Sequence, residues 1–62
     1  MTLEEAYKEV KEVRESGWNI FKEDFLVHLI GKDGLEQLIK NELLELVRIV
    51  RGERFFTLLD KK

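Results

Sequence analysis

The residues whose side chains could perform covalent catalysis are few. The 62-residue chain contains no cysteine, one serine (Ser16) and one histidine (His28). Its two threonines are Thr2 and Thr57. A hydroxyl nucleophile needs a neighbouring base that accepts its proton, and no motif in this sequence joins one of these hydroxyls to His28. We therefore expect no catalytic residue and no enzymatic activity.

The sequence also lacks the patterns that hold a metal ion or a nucleotide. His28 has no second histidine and no cysteine to complete a zinc site, so we interpret it as a residue at the boundary of a helix face. Lys32 stands in a segment with two glycines, but Asp33 follows it where a phosphate loop requires serine or threonine. No metal, cofactor or small-molecule substrate is predicted.

Length and composition indicate a single folded domain spanning residues 1–62. Apolar residues make up 44% of the chain and charged residues 39%, a balance that favours a packed core over disorder. No apolar run approaches the ~20 residues that a membrane span requires. The absence of cysteine is typical of the reducing cytoplasm. Because a core of this size seldom contributes more than ~3–5 kcal/mol, we expect a homodimer or another bound partner.

Charge is distributed unevenly along the chain. Residues 1–45 contain 6 Lys and Arg against 11 Asp and Glu, a net charge of −5, whereas residues 46–62 contain 5 against 2, a net charge of +3. The total of −2 argues against a protein that coats nucleic acid nonspecifically. A basic end on an acidic body can instead direct one binding surface towards a polyanion.

The first two thirds of the chain predict three helices. Thr2 and Glu5 have the spacing of a capping box, and an apolar stripe follows until Ser16-Gly17, so the first helix is predicted over 3–16. Residues 18–21 form either an extended connector that pairs with a later strand or the start of the next helix. That second helix is predicted over 22–30, before a tight turn at 31–34. The third helix is predicted from Leu35, with Asp33 as its N-cap.

The last third of the chain predicts a β-hairpin. Asn41 tolerates the left-handed conformation that ends a helix, and β-branched and aromatic residues dominate from Leu46 onward. A continuous helix to Val50 also fits the periodicity, but we favour the hairpin. With residues 51–54 as its loop, Val50 lies opposite Phe55. Four residues are then predicted to face the core: Val47, Ile49, Phe56 and Leu58.

This order of elements resembles the winged helix-turn-helix family. Residues 38–45 look like the end of that family's third helix running into its first wing strand. Residues 51–58, Arg-Gly-Glu-Arg-Phe-Phe-Thr-Leu, are similar to its wing tip and return strand. The resemblance implies an α+β fold: a three-helix winged helix-turn-helix with a C-terminal β-hairpin wing. It also implies binding to double-stranded DNA, with the third helix in the major groove and the wing on the backbone or in the minor groove.

The resemblance assigns DNA contacts to seven residues. Gln37 and Asn41 would read bases, because their amides can bond to adenine. The remaining five would contact phosphate or enter a narrow minor groove, and they are Lys32, Lys40, Arg48, Arg51 and Arg54. The alternative interpretation is structural: arginines on a hairpin discourage aggregation of strand edges, and Asn41 ends a helix.

A second surface is predicted from the aromatic residues. The predicted register leaves Val50 and Phe55 on the outer side of the hairpin. Together with Trp18 they would form an apolar patch for a subunit or partner, unless the connector covers them as a third strand. Two functions therefore stay open. The first is a small DNA-binding transcriptional regulator that acts as a homodimer. The second is a protein-interaction module, an accessory subunit of a transcription, replication or other assembly.

Overall fold

The computed structural model describes residues 2–60. Two helices and three strands follow one another along the chain, and the strands form an antiparallel sheet in the order β1-β3-β2. The elements are α1 (Leu3–Glu15), β1 (Phe21–Lys22), α2 (Glu23–Lys40), β2 (Leu44–Val50) and β3 (Glu53–Leu58). The predicted three-helix winged helix-turn-helix is wrong, because the residues of its second and third helices form one helical element, α2.

Helix α1 begins with the predicted capping box. The Glu5 amide donates to the Thr2 hydroxyl at 3.2 Å, and the Thr2 amide donates to the Glu5 carboxylate at 3.1 Å. The helix ends at Glu15, one residue before the predicted end, and Ser16 is its C-cap. Gly17 follows with φ of 112°, a conformation that glycine adopts without a side-chain clash.

Helix α2 changes direction at Gly31. This residue has φ of 75° and ψ of 166°, a non-helical conformation inside the element. The predicted tight turn at 31–34 is therefore reduced to one residue, and Lys32 and Asp33 are already helical. Asp33 is not an N-cap. One residue in a conformation open almost only to glycine is enough to redirect the chain, so the four-residue turn is unnecessary.

Gly34 serves packing rather than a turn. It is buried within α2, and a Cβ atom at this position would lie 3.0 Å from the Cβ of Ile30 and 3.4 Å from the Cβ of Ala6. Ala6 belongs to α1 and is fully buried. The missing side chain at Gly34 thus avoids a tight contact with Ile30 across the bend of α2, and Ala6 of α1 packs beside it.

The chain leaves α2 at Asn41, but the left-handed residue is the next one. Asn41 has φ of −93°, whereas Glu42 has φ of 59°. The side-chain amide of Asn41 donates to the carbonyl oxygen of Gln37 at 2.8 Å. Asn41 therefore ends the helix by capping it with its side chain, and the prediction that it takes the left-handed conformation is wrong.

The hairpin forms, but in a different register from the predicted one. Val50 pairs with Glu53, so the loop consists of Arg51 and Gly52 alone. Both have positive φ, 52° and 81°, as the type I′ turn of a two-residue hairpin requires. The predicted four-residue loop and the pairing of Val50 with Phe55 are wrong, since a tight turn matches strand twist better than a longer loop.

The core lies between the helices and one face of the sheet. Phe56 and Leu58 face it as predicted, whereas Val47 and Ile49 are 45% and 59% exposed. The cause is that β2 extends beyond the helices after its first residue, so only Leu44 of this strand is buried. The buried hydrophobic residues are Ala6, Val10, Phe21, Leu26, Ile30, Leu35, Leu38, Leu43, Leu44, Phe56 and Leu58.

Candidate functional site

An open apolar pocket lies beside β1, on the side of the sheet where the connector from α1 arrives. Its volume is about 690 Å³. Three segments that are distant in sequence supply its walls: the connector with β1, the first turn of α2, and the hairpin. The lining residues are Trp18, Asn19, Ile20, Phe21, Lys22, Phe25, Arg48 and Phe55. We refer to this site as the Trp18 pocket.

The connector is held in place by strand pairing and by one side chain. Phe21 pairs with Phe56 and Lys22 with Phe55, which makes β1 the third strand of the sheet. The Thr57 hydroxyl donates to the carbonyl oxygen of Asn19 at 3.0 Å. Of the two possibilities for residues 18–21, the extended connector that pairs with a later strand is the one that forms.

Strand β1 leaves part of the pocket lining open to solvent, whereas Phe21 is buried and Phe55 is partly buried. Trp18 is 65% exposed, and Ile20 and Phe25 are each 41% exposed. Phe25 lies in the first turn of α2, and its ring stacks on Phe21, with 6.3 Å between ring centroids. An apolar floor that remains open to solvent is typical of a site that receives a side chain from another molecule.

Two cations border this apolar floor. Arg48 pairs with Phe55 in the hairpin, and its guanidinium carbon lies 5.4 Å from the centroid of the Phe55 ring. Lys22, on the neighbouring strand, lies 3.5 Å from the carboxylate of Glu53. The pocket can therefore bind an apolar group with acidic neighbours, and among its lining residues only Lys22 and Arg48 carry a charge.

The structure brings together two of the three residues predicted for a partner interface. Trp18 and Phe55 line the same pocket. Val50 is 45% exposed but pairs with Glu53 next to the turn, and it does not line the pocket. The contributions of Ile20, Phe25 and Arg48 were missed. For Ile20 the signal was present, because three of the four residues in 18–21 are apolar.

The predicted DNA-contacting arginines do not form one surface. Arg54 makes an ion pair with Glu23 of α2, and its guanidinium carbon lies 5.5 Å from the ring centroid of Phe56 on the core side of the sheet. Arg48 lies over Phe55 on the opposite side. Arg51 stands in the exposed turn.

The predicted DNA-contacting residues of α2 have mixed surroundings. Asn41 donates to Gln37 within its own helix end. Lys32 is exposed beside the bend, where its charge helps to lower the pKa of Glu23. Lys40 is exposed at the end of the helix. Glu36 is exposed on the same helical segment, and its negative charge opposes contact with phosphate.

The hydroxyl considered first for catalysis has a structural partner. The Ser16 hydroxyl donates to the carbonyl oxygens of Val13 and Glu12 at 2.9 and 3.2 Å, so it caps the end of α1. Among residues 2–60, no cluster of three His, Cys, Asp or Glu side chains is arranged to hold a metal ion. The same residues contain no helix that is both long enough and apolar enough to cross a bilayer.

Comparison with known proteins gives no relative. The chain matches no protein-family model, no curated protein sequence and no solved structure.

Proposed function

We propose that this protein is a protein-interaction module, an accessory subunit that holds a partner protein in the Trp18 pocket. One observation carries the proposal: Trp18 and Phe55, which are 37 positions apart in the sequence, form the walls of one solvent-open apolar pocket. Exposed tryptophan and other aromatic residues are the side chains that most often dominate the energy of a protein interface.

The chemistry of the pocket defines the partner it would select. An apolar or aromatic anchor residue fits the walls formed by Trp18, Ile20 and Phe25. Acidic residues next to that anchor would pair with Arg48 and Lys22, and such charges at the rim favour encounter with the correct partner. We therefore expect a partner segment that combines one large apolar side chain with Asp or Glu.

A photocrosslinking experiment in an extract of the source cells tests this proposal. Asn19, an exposed residue that lines the pocket beside Trp18, is replaced by a photoreactive phenylalanine analogue, and the same analogue at Lys8 on α1 is the matched control. We expect one stoichiometric protein adduct from position 19 and none from position 8. Competition by the unmodified chain should abolish the adduct, whereas a Trp18→Ala chain should compete at least tenfold less well.

The purified partner then provides a direct measurement. Trp18 is the only tryptophan in the chain, so its fluorescence reports occupancy of the pocket. We expect a shift of its emission to shorter wavelength on binding, because the indole leaves water. No adduct at position 19, or equal competition by the Trp18→Ala chain, would refute the proposal.

DNA binding by a homodimeric transcriptional regulator is the second candidate function. It is supported by the exposed positions of Lys40 and Asn41 at the end of α2 and of Arg51 at the hairpin turn. It ranks below protein interaction because Arg54 is already paired with Glu23 and Glu36 is exposed on α2. For either function we propose a cytoplasmic location, supported by the absence of cysteine.

A further inference from the structure

Strand β2 is an unprotected edge of the sheet. It pairs with β3 on one side, and in the described part of the chain no strand lies on its other side. Six of its seven residues are exposed. Four of these are large and apolar, with exposed fractions between 45% and 59%: Leu46, Val47, Ile49 and Val50. A long apolar edge strand offers its free backbone groups to another chain.

A β-bulge determines which side chains share a face of this edge. Glu45 pairs with Thr57 and Arg48 pairs with Phe55, and the register shifts between Leu46 and Arg48. Thr57 and Phe55 are two residues apart on β3 and therefore share a face. Glu45 and Arg48 consequently share that face too, although they are three residues apart, because the bulge inserts one residue.

The bulge, counted as a single position, has an acidic residue immediately before it (Glu45) and a basic residue immediately after it (Arg48). The order along β2 is Leu44, Glu45, the bulge, Arg48 and Ile49. We propose that β2 pairs antiparallel with β2 of a second copy of this chain, about a two-fold axis through the bulges. Glu45 of each copy then lies opposite Arg48 of the other, and Leu44 lies opposite Ile49.

The apolar side of this arrangement is also complementary. Leu44, Leu46 and Ile49 face the core side of the sheet, and Ile49 is 59% exposed. Beside Leu44 lies an open cavity of about 880 Å³, whose walls include Leu3, Ile39 and Leu44. Ile49 of the second copy lies next to Leu44 in the proposed register and enters this cavity.

Self-complementarity identifies the occupant as a second copy. A partner of different sequence would not require acid and base at mirror-related positions of one strand, whereas an isologous dimer does. Within residues 2–60, Glu45 makes no ion pair that would compete. The proposed edge shares Arg48 with the Trp18 pocket but goes beyond it, since it also uses Glu45 and Ile49, which do not line that pocket.

The test is the oligomeric state of the purified chain by sedimentation velocity at low ionic strength, where charge pairs are least screened. The wild-type chain should be a dimer. Glu45→Arg places two like-charge pairs across the axis, and so does Arg48→Glu. Each should weaken dimerisation by about tenfold or more, because two attractive cross-strand pairs become repulsive.

Mixing the two variants gives a result that loss of folding cannot produce. An equimolar mixture of the Glu45→Arg and Arg48→Glu chains restores both opposite-charge pairs, so we expect a heterodimer of wild-type affinity. The double variant Glu45→Arg/Arg48→Glu should return to a homodimer. Lys8→Glu and Glu9→Arg, on exposed positions of α1, are the matched controls, and they should not alter the wild-type equilibrium.

A monomeric wild-type chain at high concentration overturns the proposal. It is equally overturned by a dimer that both single variants leave intact, or by two weakened variants that fail to recover on mixing. Failure here is separate from failure of the proposed function, because dimerisation is measured without a partner protein. The exposed Trp18→Ala variant should retain the dimer.

Discussion

Arg54 donates a hydrogen bond from its guanidinium group to the carboxylate of Glu23, a contact that joins β3 to the first turn of α2. This bond lowers the pKa of Glu23, with further small contributions from the charges of Arg54 and Lys32. The same bond raises the pKa of Arg54. The ion pair therefore attaches the hairpin to α2 through side chains, in addition to the covalent chain that joins the two elements.

Replacing Glu23 by Gln should reduce the loss of unfolding free energy that the protein shows as the pH falls into the acidic range. The pKa of Glu23 is lowered in the folded chain from its ordinary value of 4.5. The ionised carboxylate therefore stabilises the folded chain above pH 4.5, and this stabilisation is lost as the pH falls through the lowered pKa. Urea unfolding between pH 2 and pH 7 measures the effect. Asp24→Asn is the control, since Asp24 is exposed and forms no ion pair among residues 2–60. Equal profiles for wild type and Glu23→Gln would contradict the prediction.

Gly31→Ala should destabilise the protein through backbone strain alone. Nothing lies within 4 Å of a Cβ placed at Gly31, but its φ of 75° with ψ of 166° disfavours every other residue. We expect the free energy of unfolding to fall by about 1–3 kcal/mol. Thermal and urea unfolding measure it, with Lys32→Ala as the exposed neighbouring control. An unchanged midpoint would mean that the bend does not require this conformation.

Gly34→Ala should destabilise the protein through steric crowding, since the glycine is surrounded by packed side chains. The new Cβ would lie 3.0 Å from the Cβ of Ile30, which precedes the bend in the same helix. Packed carbon atoms rarely come so close, so the two stretches of α2 on either side of Gly31 must shift apart. Overpacking of this kind costs about 1–3 kcal/mol, measurable by urea unfolding. Glu36→Ala, on an exposed position of the same helical segment, should have little effect. A stabilised Gly34→Ala variant would contradict the close approach of Ile30 to Gly34.

The second candidate function predicts that a substitution at the hairpin turn weakens the affinity for DNA. If the second candidate function holds, Arg51→Ala lowers affinity for duplex DNA and reduces the slope of log K against log salt by about one, because one phosphate contact is lost. Fluorescence anisotropy with a mixed-sequence duplex at several salt concentrations measures both quantities. Lys8→Ala is the control of equal charge on α1. Binding that is undetectable or independent of salt would exclude this function.

Features that depend on neighbours in sequence could be predicted. The capping box of Thr2 and Glu5 forms as expected, because both partners lie within one helical turn. The hairpin was favoured over a continued helix by the β-branched and aromatic residues after Leu46, and it is present. The stop at Gly17 was also visible, since a glycine after a helical stripe usually ends a helix.

Features that depend on distant packing were missed. Gly34 was interpreted as part of a turn, because nothing local shows that Ala6 approaches it. The predicted register of the hairpin was wrong because Arg51 adopts a positive φ, a conformation that residues such as Asn usually take in a two-residue turn. With that register, Val47 and Ile49 were placed in the core, whereas the strand carries them beyond the helices into solvent.

The amino-acid order by itself determined α1 and the presence of the hairpin, since capping, turn and side-chain preferences act over a few residues. The tertiary structure decided that Gly31 alone separates the two helical stretches of α2, and that a bulge places Glu45 and Arg48 on one face of the sheet. It also decided that Trp18 and Phe55 line the same pocket. These two residues are 37 positions apart, and no local pattern encodes the distance between them.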